Sequence, residues 1–315
     1  MSVLRKICQV CGNNLLGETA YIDKFEYNLF KNKKIVICQN CGFGQIQTQI
    51  EKSDLIEFYE NFYRSKKSRT PINFKSAKLN HKRLDYRSVS QILLGSQYLN
   101  YQHVYKFLDI GAGLGSSFIS AKKILKNVKI FVIEANTDAK EFYKKNFDDI
   151  TIIDSLKDVK EKMDIVLMSH TVEHINFSDV EDLFRDLYGN LEDNGILIIE
   201  VPHADLRDKL FINNRYNDTP HLNFFSLESL KMFVKKTEFE ICYVNTVGQL
   251  QTEKYKGKSK GFLRNSVRKM AIRLGLNKSI QSAYTKWTYR YDFYDNLNFK
   301  YGGNRDLLRC ILKKK

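Results

Sequence analysis

Residues Lys106–Ser117 read K-F-L-D-I-G-A-G-L-G-S-S. Phe107, Leu108 and Ile110 form an apolar run of strand length. Glycine recurs at 111, 113 and 115, and the helix-compatible segment Phe118–Leu125 follows. Strand, glycine turn and helix in this order bring backbone close to a nucleotide-like ligand, because residues without a Cβ permit the approach. Nineteen residues beyond Gly115, the run Lys129–Glu134 (K-I-F-V-I-E) ends a second apolar strand in a carboxylate. In βαβ nucleotide sites an acid at that point accepts hydrogen bonds from ribose hydroxyls.

Asp109 stands immediately before the turn. An anion there repels phosphates and suits a ligand carrying an amino group or a sulfonium. The pattern D-x-G-x-G-x-G followed by a strand ending in Glu resembles a class I S-adenosylmethionine-dependent methyltransferase. The resemblance covers about residues 8–248 and the last strand. It implies cofactor contacts from Asp109, Gly111, Gly113, Gly115 and Glu134, from Asp154 and Ser155 after the third strand, and from Ser169 after the fourth. The tract Ser169-His170-Thr171-Val172-Glu173-His174-Ile175 and the segment N-G-I-L-I-I-E-V-P (194–202) also match that family. The N-P-P-Y or D-P-P-Y tetrapeptide of many base N-methyltransferases is missing, which counts against that chemistry.

Alternation of strands and helices predicts an α/β fold: a Rossmann-like, mostly parallel seven-stranded sheet with helices on both faces. The strands are expected at Phe107–Ile110, Lys129–Glu134, Ile150–Ile153, Asp164–Met168, Ile196–Val201, Phe239–Val247 and Leu307–Leu312, with Asn194-Gly195 as a turn. The organisation expected is a zinc module over residues 1–50, linking helices over 51–100, the cofactor-binding domain over 101–250, and a basic helical insertion with the last strand over 251–315.

Four of the six cysteines fall as Cys8-x2-Cys11 and Cys38-x2-Cys41, each pair followed by glycine. Two such knuckles bring four thiolates tetrahedrally onto one structural zinc; a redox-active C-x-x-C is the alternative. Four thiolates leave no open coordination position, so this zinc is not catalytic. A zinc module ahead of a methyltransferase domain resembles bacterial methyltransferases of sugar and surface-polysaccharide pathways, including sugar C-methyltransferases, and also some rRNA methyltransferases.

Ser53 reads as the N-cap of a helix through Arg64, with Leu55, Phe58, Tyr59, Phe62 and Tyr63 at helical spacing. These aromatics suit packing. The resemblance to sugar methyltransferases instead makes Tyr59 and Tyr63 substrate-binding candidates on a helix over the active-site mouth. A hydroxyl acceptor must lose a proton, and histidine is suited to taking it. His170, His174, His203 and His221 lie where active-site loops are expected. His221 and His170 are the candidate bases, with Asp218 as orienter, and His174 and His203 are candidates for substrate contact. The sugar C-methyltransferases pair the histidine at 221 with a tyrosine three residues earlier and an acid directly before it. Here Asp218 and Pro220 occupy those positions, which favours O-methylation over enolate-forming C-methylation.

The chain of 315 residues is 43% apolar and carries a net charge of +15. Residues 251–315 hold 17 basic and 4 acidic side chains, while the first 250 hold 34 and 32. The basicity therefore belongs to the C-terminal segment. There K-Y-K-G-K-S-K-G precedes a helical spacing of Leu263, Val267, Met270 and Leu274. A solvated basic face, an anionic membrane surface, a phosphate-bearing glycan donor and RNA are the readings of that segment. No apolar run reaches bilayer length and the N-terminus lacks a signal-peptide core, so a cytoplasmic protein is expected, with a peripheral place on the inner membrane face open to the basic segment. The function expected is methyl transfer to a hydroxyl of a sugar or nucleotide-sugar in glycan biosynthesis. RNA methylation and a non-catalytic cofactor-binding scaffold are the alternatives.

Overall fold

The structure, a computed structural model, describes residues 6–15, 17–21, 28–65, 68, 71, 73–74, 85–99, 105–125, 127–207, 220–247 and 307–315. Asp218 and the predicted basic insertion, Gln251 to about Asn304, lie outside the described residues. Val247 apart, the described elements belong to one compact unit within residues 1–246 and 307–315.

Seven strands form the main sheet: β4 (Lys106–Ile110), β5 (Lys129–Ile133), β6 (Ile150–Ile153), β7 (Met163–Ser169), β8 (Leu191–Pro202), β10 (Phe239–Val247) and β11 (Leu307–Lys314). Their spatial order is β10-β11-β8-β7-β4-β5-β6. The strands β8, β7, β4, β5 and β6 run parallel, and β11 lies antiparallel to β8. The middle of β7 and β8 is buried throughout (Ile165–Met168, Ile196–Ile199). A parallel sheet covered on both faces produces such unbroken apolar runs. The order reverses between β4 and β7, and ligands of open α/β sheets bind in the crevice beyond the carboxyl ends at such a reversal.

The helices are α1 (Lys52–Glu57), α2 (Tyr86–Ser96), α3 (Ser116–Ile124), α4 (Thr137–Asn146), α5 (Phe177–Asn190) and α6 (Leu227–Lys235). Side-chain caps start three of them. Asp85 accepts from Ser88 N at 2.9 Å, Asn136 from Ala139 N at 2.9 Å, and Ser226 and Ser229 form a reciprocal capping box. Helix α5 turns Phe177, Val180, Phe184 and Leu187 inward. The Phe184 ring meets Phe233 edge-on at 4.8 Å.

A second sheet of order β1-β2-β3-β9 carries the N-terminal module: β1 (Gly17–Ala20), β2 (Lys34–Ile37), β3 (Gly44–Ile46) and β9 (Asn223–Phe224). All its pairings are antiparallel. Its last strand comes from far along the chain, with Gly44 opposite Phe224 and Gln45 opposite Asn223. Gly44 permits the seam, since a Cβ there would stand 2.5 Å from Leu206 Cδ1 and 3.2 Å from Phe224 Cβ.

Two local expectations are corrected. The linking helix starts at Lys52 with Glu51 as N-cap, so Ser53 lies in its first turn. It passes into a π-helical turn over Phe58–Phe62. The predicted turn at Asn194-Gly195 is absorbed into β8. Leu191 pairs with Met163 and Ile196 with Ile165, so the extra residues form an irregularity within one strand.

Inside the main sheet, Arg309 of β11 stands directly opposite Glu200 of β8. Its guanidinium donates to Glu200 Oε2 from Nε at 2.6 Å and to Ser90 Oγ of α2 at 3.0 Å. Both members of the ion pair are buried. Removing one member leaves the other charge uncompensated. Arg309→Ala is therefore expected to lower stability by about 3–5 kcal/mol in urea unfolding, and Glu200→Met with Arg309→Met to recover most of that loss. Equal losses in the single and double variants would contradict the pairing.

Candidate active site

The glycine turn after β4 takes left-handed backbone that glycine adopts without strain. Gly111, Gly113 and Gly115 have φ of 76°, 56° and 79°, a region that side chains with a Cβ disfavour. The turn is tied down from three sides. Gly111 N donates to Ile133 O at 2.8 Å, Tyr143 OH to Gly113 O at 2.5 Å, and Thr171 Oγ1 to Ile110 O at 2.8 Å. A Cβ on Gly113 would meet nothing within 4 Å, so that side of the loop opens as a cradle.

Asp109 lies beneath the loop, 1% exposed. It accepts from Ser117 Oγ at 2.5 Å and so fastens the first turn of α3. Burial raises its carboxyl to about 7, against the lowering by Ser117, and the charge of Glu134 adds to the rise. The anion expected before the turn is therefore a buried carboxyl that keeps its proton toward neutral pH.

Glu134 follows β5. Its Oε2 accepts from Gly113 N at 2.7 Å and its Oε1 from Asn136 N at 2.9 Å. Each oxygen keeps a lone pair for a further donor. Pairing of Ile133 with Ile153 sets Asp154 on the neighbouring strand end. Asp154 is exposed, 3.5 Å from Lys140, and Ser155 Oγ donates to Asp158 at 2.7 Å. Ser169, at the end of β7, accepts from Gln91 Nε2 of α2 at 2.8 Å. The cofactor candidates thus share one edge of the sheet.

Next to them is a group of imidazoles around a carboxylate. His170 has φ of 58°, strained for a residue other than glycine. Its N–H donates to Glu200 O at 2.8 Å. Its ring lies between two acids, with Nδ1 3.2 Å from Glu173 Oε1 and Nε2 3.9 Å from Glu200 Oε1. Its side chain is 27% exposed, against 8% for His221. His221 Nε2 stands 3.9 Å from Glu173 Oε1, and its ring centre is 4.9 Å from that of His174.

The two segments are clasped by backbone. Leu222 N donates to Glu173 O at 2.7 Å and Asn223 Nδ2 to Ile175 O at 2.7 Å. Burial pushes His221 down to about 3, helped by His174, and it lowers His174 as well. Glu173 is wholly buried, which favours its neutral acid; the facing imidazoles more than offset this and hold it below the usual carboxylate range. Both shifts favour the neutral imidazole at His174 and His221.

Tyr59 and Tyr63 join this group. Tyr59 OH is 2.9 Å from His174 Nδ1 and donates to Pro220 O at 3.1 Å. The Tyr63 ring is 5.9 Å from that of His174, and its carbonyl accepts from Asn136 Nδ2 at 2.8 Å. The π-helical turn therefore spans from the histidines to the Glu134 loop. His203 takes a different position. It bridges Phe225 and acts electrostatically on Asp205, whose partner Arg207 donates to Asn40 O in the cysteine module at 2.9 Å.

The four module cysteines converge, with Cys8 and Cys41 Sγ 3.6 Å apart and Cys11 and Cys38 Sγ 3.4 Å apart. All four sulfurs lie within 4.8 Å of one another, a set able to hold a metal ion. Tetrahedral bonds of about 2.3 Å call for sulfurs roughly 3.8 Å apart, so the spacing fits. The Cys41 hydrogen bond lowers the Cys8 thiol to about 5 and pushes Cys41 up. Thiols this close cannot all ionise without a cation between them.

Sequence reading missed Glu173, Gln91, Asn136 and Glu200 as parts of the site. Glu173 alone carried a signal, as an acid between two histidines.

A family model described as a methyltransferase domain matches residues 56–244. No curated protein matches the chain. Among solved structures, it is similar to an S-adenosylmethionine-dependent methyltransferase from Archaeoglobus fulgidus (18% identity, 77% of this chain and 100% of that one, TM-score 0.45). It is also similar to the plantazolicin methyltransferase BpumL (14%, 83% and 95%, TM-score 0.47). A third is coclaurine N-methyltransferase (15%, 73% and 72%, TM-score 0.45).

Because burial raises Asp109, the folded ligand-free protein holds this proton to higher pH than the unfolded chain. The native state is thus favoured below the unfolded value of 3.8 and progressively penalised as pH rises toward about 7. Asp109→Asn removes that slope. In urea unfolding the wild type is expected to lose stability relative to the variant between pH 4 and pH 8, by at most about 4 kcal/mol. A constant difference across that range would exclude a buried, proton-retaining Asp109.

Proposed function

This chain belongs to the methyltransferase domain family and is an S-adenosylmethionine-dependent methyltransferase, and from that premise we propose that it methylates a hydroxyl of a sugar or nucleotide-sugar in glycan biosynthesis. The observation that carries the acceptor reading is the polar, aromatic wall beside the glycine cradle: His170, His174, Tyr59 and Tyr63, backed by the buried Glu173. A polyhydroxylated acceptor needs hydrogen-bonding side chains along its length and one group to take a proton. Tyrosine and histidine rings supply both polar tips and flat faces for a sugar ring.

S-adenosylmethionine supplies a methyl on a sulfonium already activated for in-line displacement. Gly111, Gly113 and Gly115 hold open the backbone cradle, and Glu134 receives ribose hydroxyls at the end of β5. Asp154, Ser155 and Ser169 line the same edge on the neighbouring strand ends. Of the two candidate bases, His170 is the better suited, being partly exposed at the end of β7 and flanked by Glu173 and Glu200. Those carboxylates stabilise the imidazolium that forms once the hydroxyl proton arrives. His221, deeper, is the second candidate base. The four cysteines hold a structural zinc with no open position, and its chemistry is confined to bracing the module.

The test of the acceptor is transfer of labelled methyl from S-adenosylmethionine into an extract of the source cells split into small anionic metabolites, lipid-linked glycan, RNA and protein. Label in the sugar and glycan fractions is the expected result. Label confined to RNA would overturn the sugar reading. With an acceptor in hand, His170→Gln is expected to lower kcat by about 10²–10⁴-fold with cofactor affinity retained; unchanged turnover would remove His170 as base.

A separate expectation follows from the seam between module and histidine loop. Cys38→Ser, or zinc removal by a chelator, should lower the melting temperature and kcat while cofactor affinity changes little, since the cradle rests on β4, β5 and α3. Zinc content, melting and cofactor titration check this together. Equal losses in cofactor binding and turnover would mean that the module braces the whole domain.

A further inference from the structure

We propose that Glu173, His174 and His221 bind a divalent transition-metal cation in the acceptor pocket, separate from the cysteine cluster. One carboxylate oxygen and one ring nitrogen from each histidine lie within 4.8 Å of one another. Around a cation with bonds of about 2.1 Å, ligand atoms stand roughly 3–4 Å apart, so a small side-chain rotation closes the set.

The carboxylate points to a missing partner. Glu173 is 0% exposed, and among the described residues neither of its oxygens receives a hydrogen bond. His170 Nδ1, at 3.2 Å, lies close without the alignment that a hydrogen bond requires. A buried carboxylate whose nearest donor is misaligned is costly, and native proteins supply such a group with a proton, a water or a cation.

The histidine beside it is set up as a ligand. His174 Nδ1 is 3.1 Å from Pro220 O, and a carbonyl only accepts, so Nδ1 carries the proton. Tyr59 OH, 2.9 Å away, shares that proton as a second acceptor while donating its own to Pro220 O. The lone pair of His174 is then on Nε2. Metal-bound histidines are commonly oriented in this way, by an N–H donated from the other ring nitrogen to a carbonyl.

The scaffold is also rigid where it needs to be. Glu173 and His174 sit on a single short 3₁₀ turn, and the Leu222–Glu173 and Asn223–Ile175 bonds clasp His221's segment to it. Two imidazoles and one carboxylate leave coordination positions open. Mixed nitrogen and oxygen donors suit zinc, manganese, iron(II) or cobalt better than calcium or magnesium, which prefer oxygen alone. An acceptor oxygen bound in an open position would be polarised beside His170, which then takes the proton, while His221 serves the cation. The inference deepens the proposed reaction in this respect only; the binding site itself requires no particular acceptor.

The test uses the full chain with its cysteine cluster loaded with zinc and excess metal dialysed away. Manganese(II) is titrated in, and the free ion is followed by its electron paramagnetic resonance signal; cobalt(II) is titrated in parallel by visible absorption. Manganese(II) disfavours thiolates, so it reports on the nitrogen–oxygen site. One equivalent bound by the wild type is expected, weakened at least about 10-fold in Glu173→Gln and His221→Gln, with the melting curve checking that each variant folds. Cobalt bound there should lack thiolate charge-transfer absorption. Saturable binding of neither ion by the wild type overturns the site, and so does binding undiminished in folded Glu173→Gln. No acceptor enters the titration, so an error in the acceptor class cannot produce either result.

Discussion

The histidine group depends on a four-residue seam. Gly44 and Gln45 of the cysteine module pair with Asn223 and Phe224. Ile46 N donates to Leu222 O at 3.0 Å, and Ser226 Oγ to Cys41 O at 2.6 Å. These bonds fix the path of residues 220–226 on the module side. The bond from Leu222 N to Glu173 O fixes it on the other. His221 is held between the two anchors, with its Nε2 3.9 Å from Glu173 Oε1. The cysteine cluster is therefore connected to the histidine group through these backbone and cap bonds.

The two halves of the crevice use buried acids in opposite ways. On the cofactor side Asp109 is shielded from water and retains its proton toward neutral pH, a carboxyl that acts as a strut for Ser117. Beside the histidines Glu173 is as deeply buried but is held below the usual carboxylate range, chiefly by His170 at 3.2 Å. Burial alone raises both. What separates them is the company each keeps, a hydroxyl and a neighbouring acid in one case and three histidines in the other. Glu200 is a third variation, neutralised by Arg309 and lending its backbone carbonyl to His170.

How much of this was legible in the sequence follows from how local each cause is. The glycine turn, Glu134 and the four cysteines announce themselves within a few residues, because left-handed backbone and metal-ligand spacing are properties of short stretches. The strands of the main sheet were readable for the same reason, as apolar runs bounded by turns. The Asn194-Gly195 pair misled because a turn signal specifies local backbone and not whether a neighbouring strand absorbs the extra residues. The helix start at Lys52 differed because Ser53 is followed by residues that continue the helix, and Glu51 already takes the extended cap conformation. The seam between Gly44 and Phe224 could not be read, since nothing near residue 44 indicates a partner about 180 positions away. Glu173 was visible between two histidines, but its third imidazole, His221, lies 48 positions on and comes beside it through that seam.

His170 shows why the strained residue stands at this strand end. Its φ of 58° costs free energy that a glycine would avoid. The cost is met by structure on both sides: its N–H is bound to Glu200 O, and Thr171 immediately after it is bound to Ile110 O of β4. The same two bonds tie the ends of β8, β7 and β4 together. A glycine at 170 would relieve the strain and lose the imidazole; a histidine in ordinary backbone would direct its ring elsewhere. The strain, the two flanking carboxylates and the adjacent glycine loop thus answer one requirement, a ring nitrogen held at the reversal of strand order beside the glycine turn.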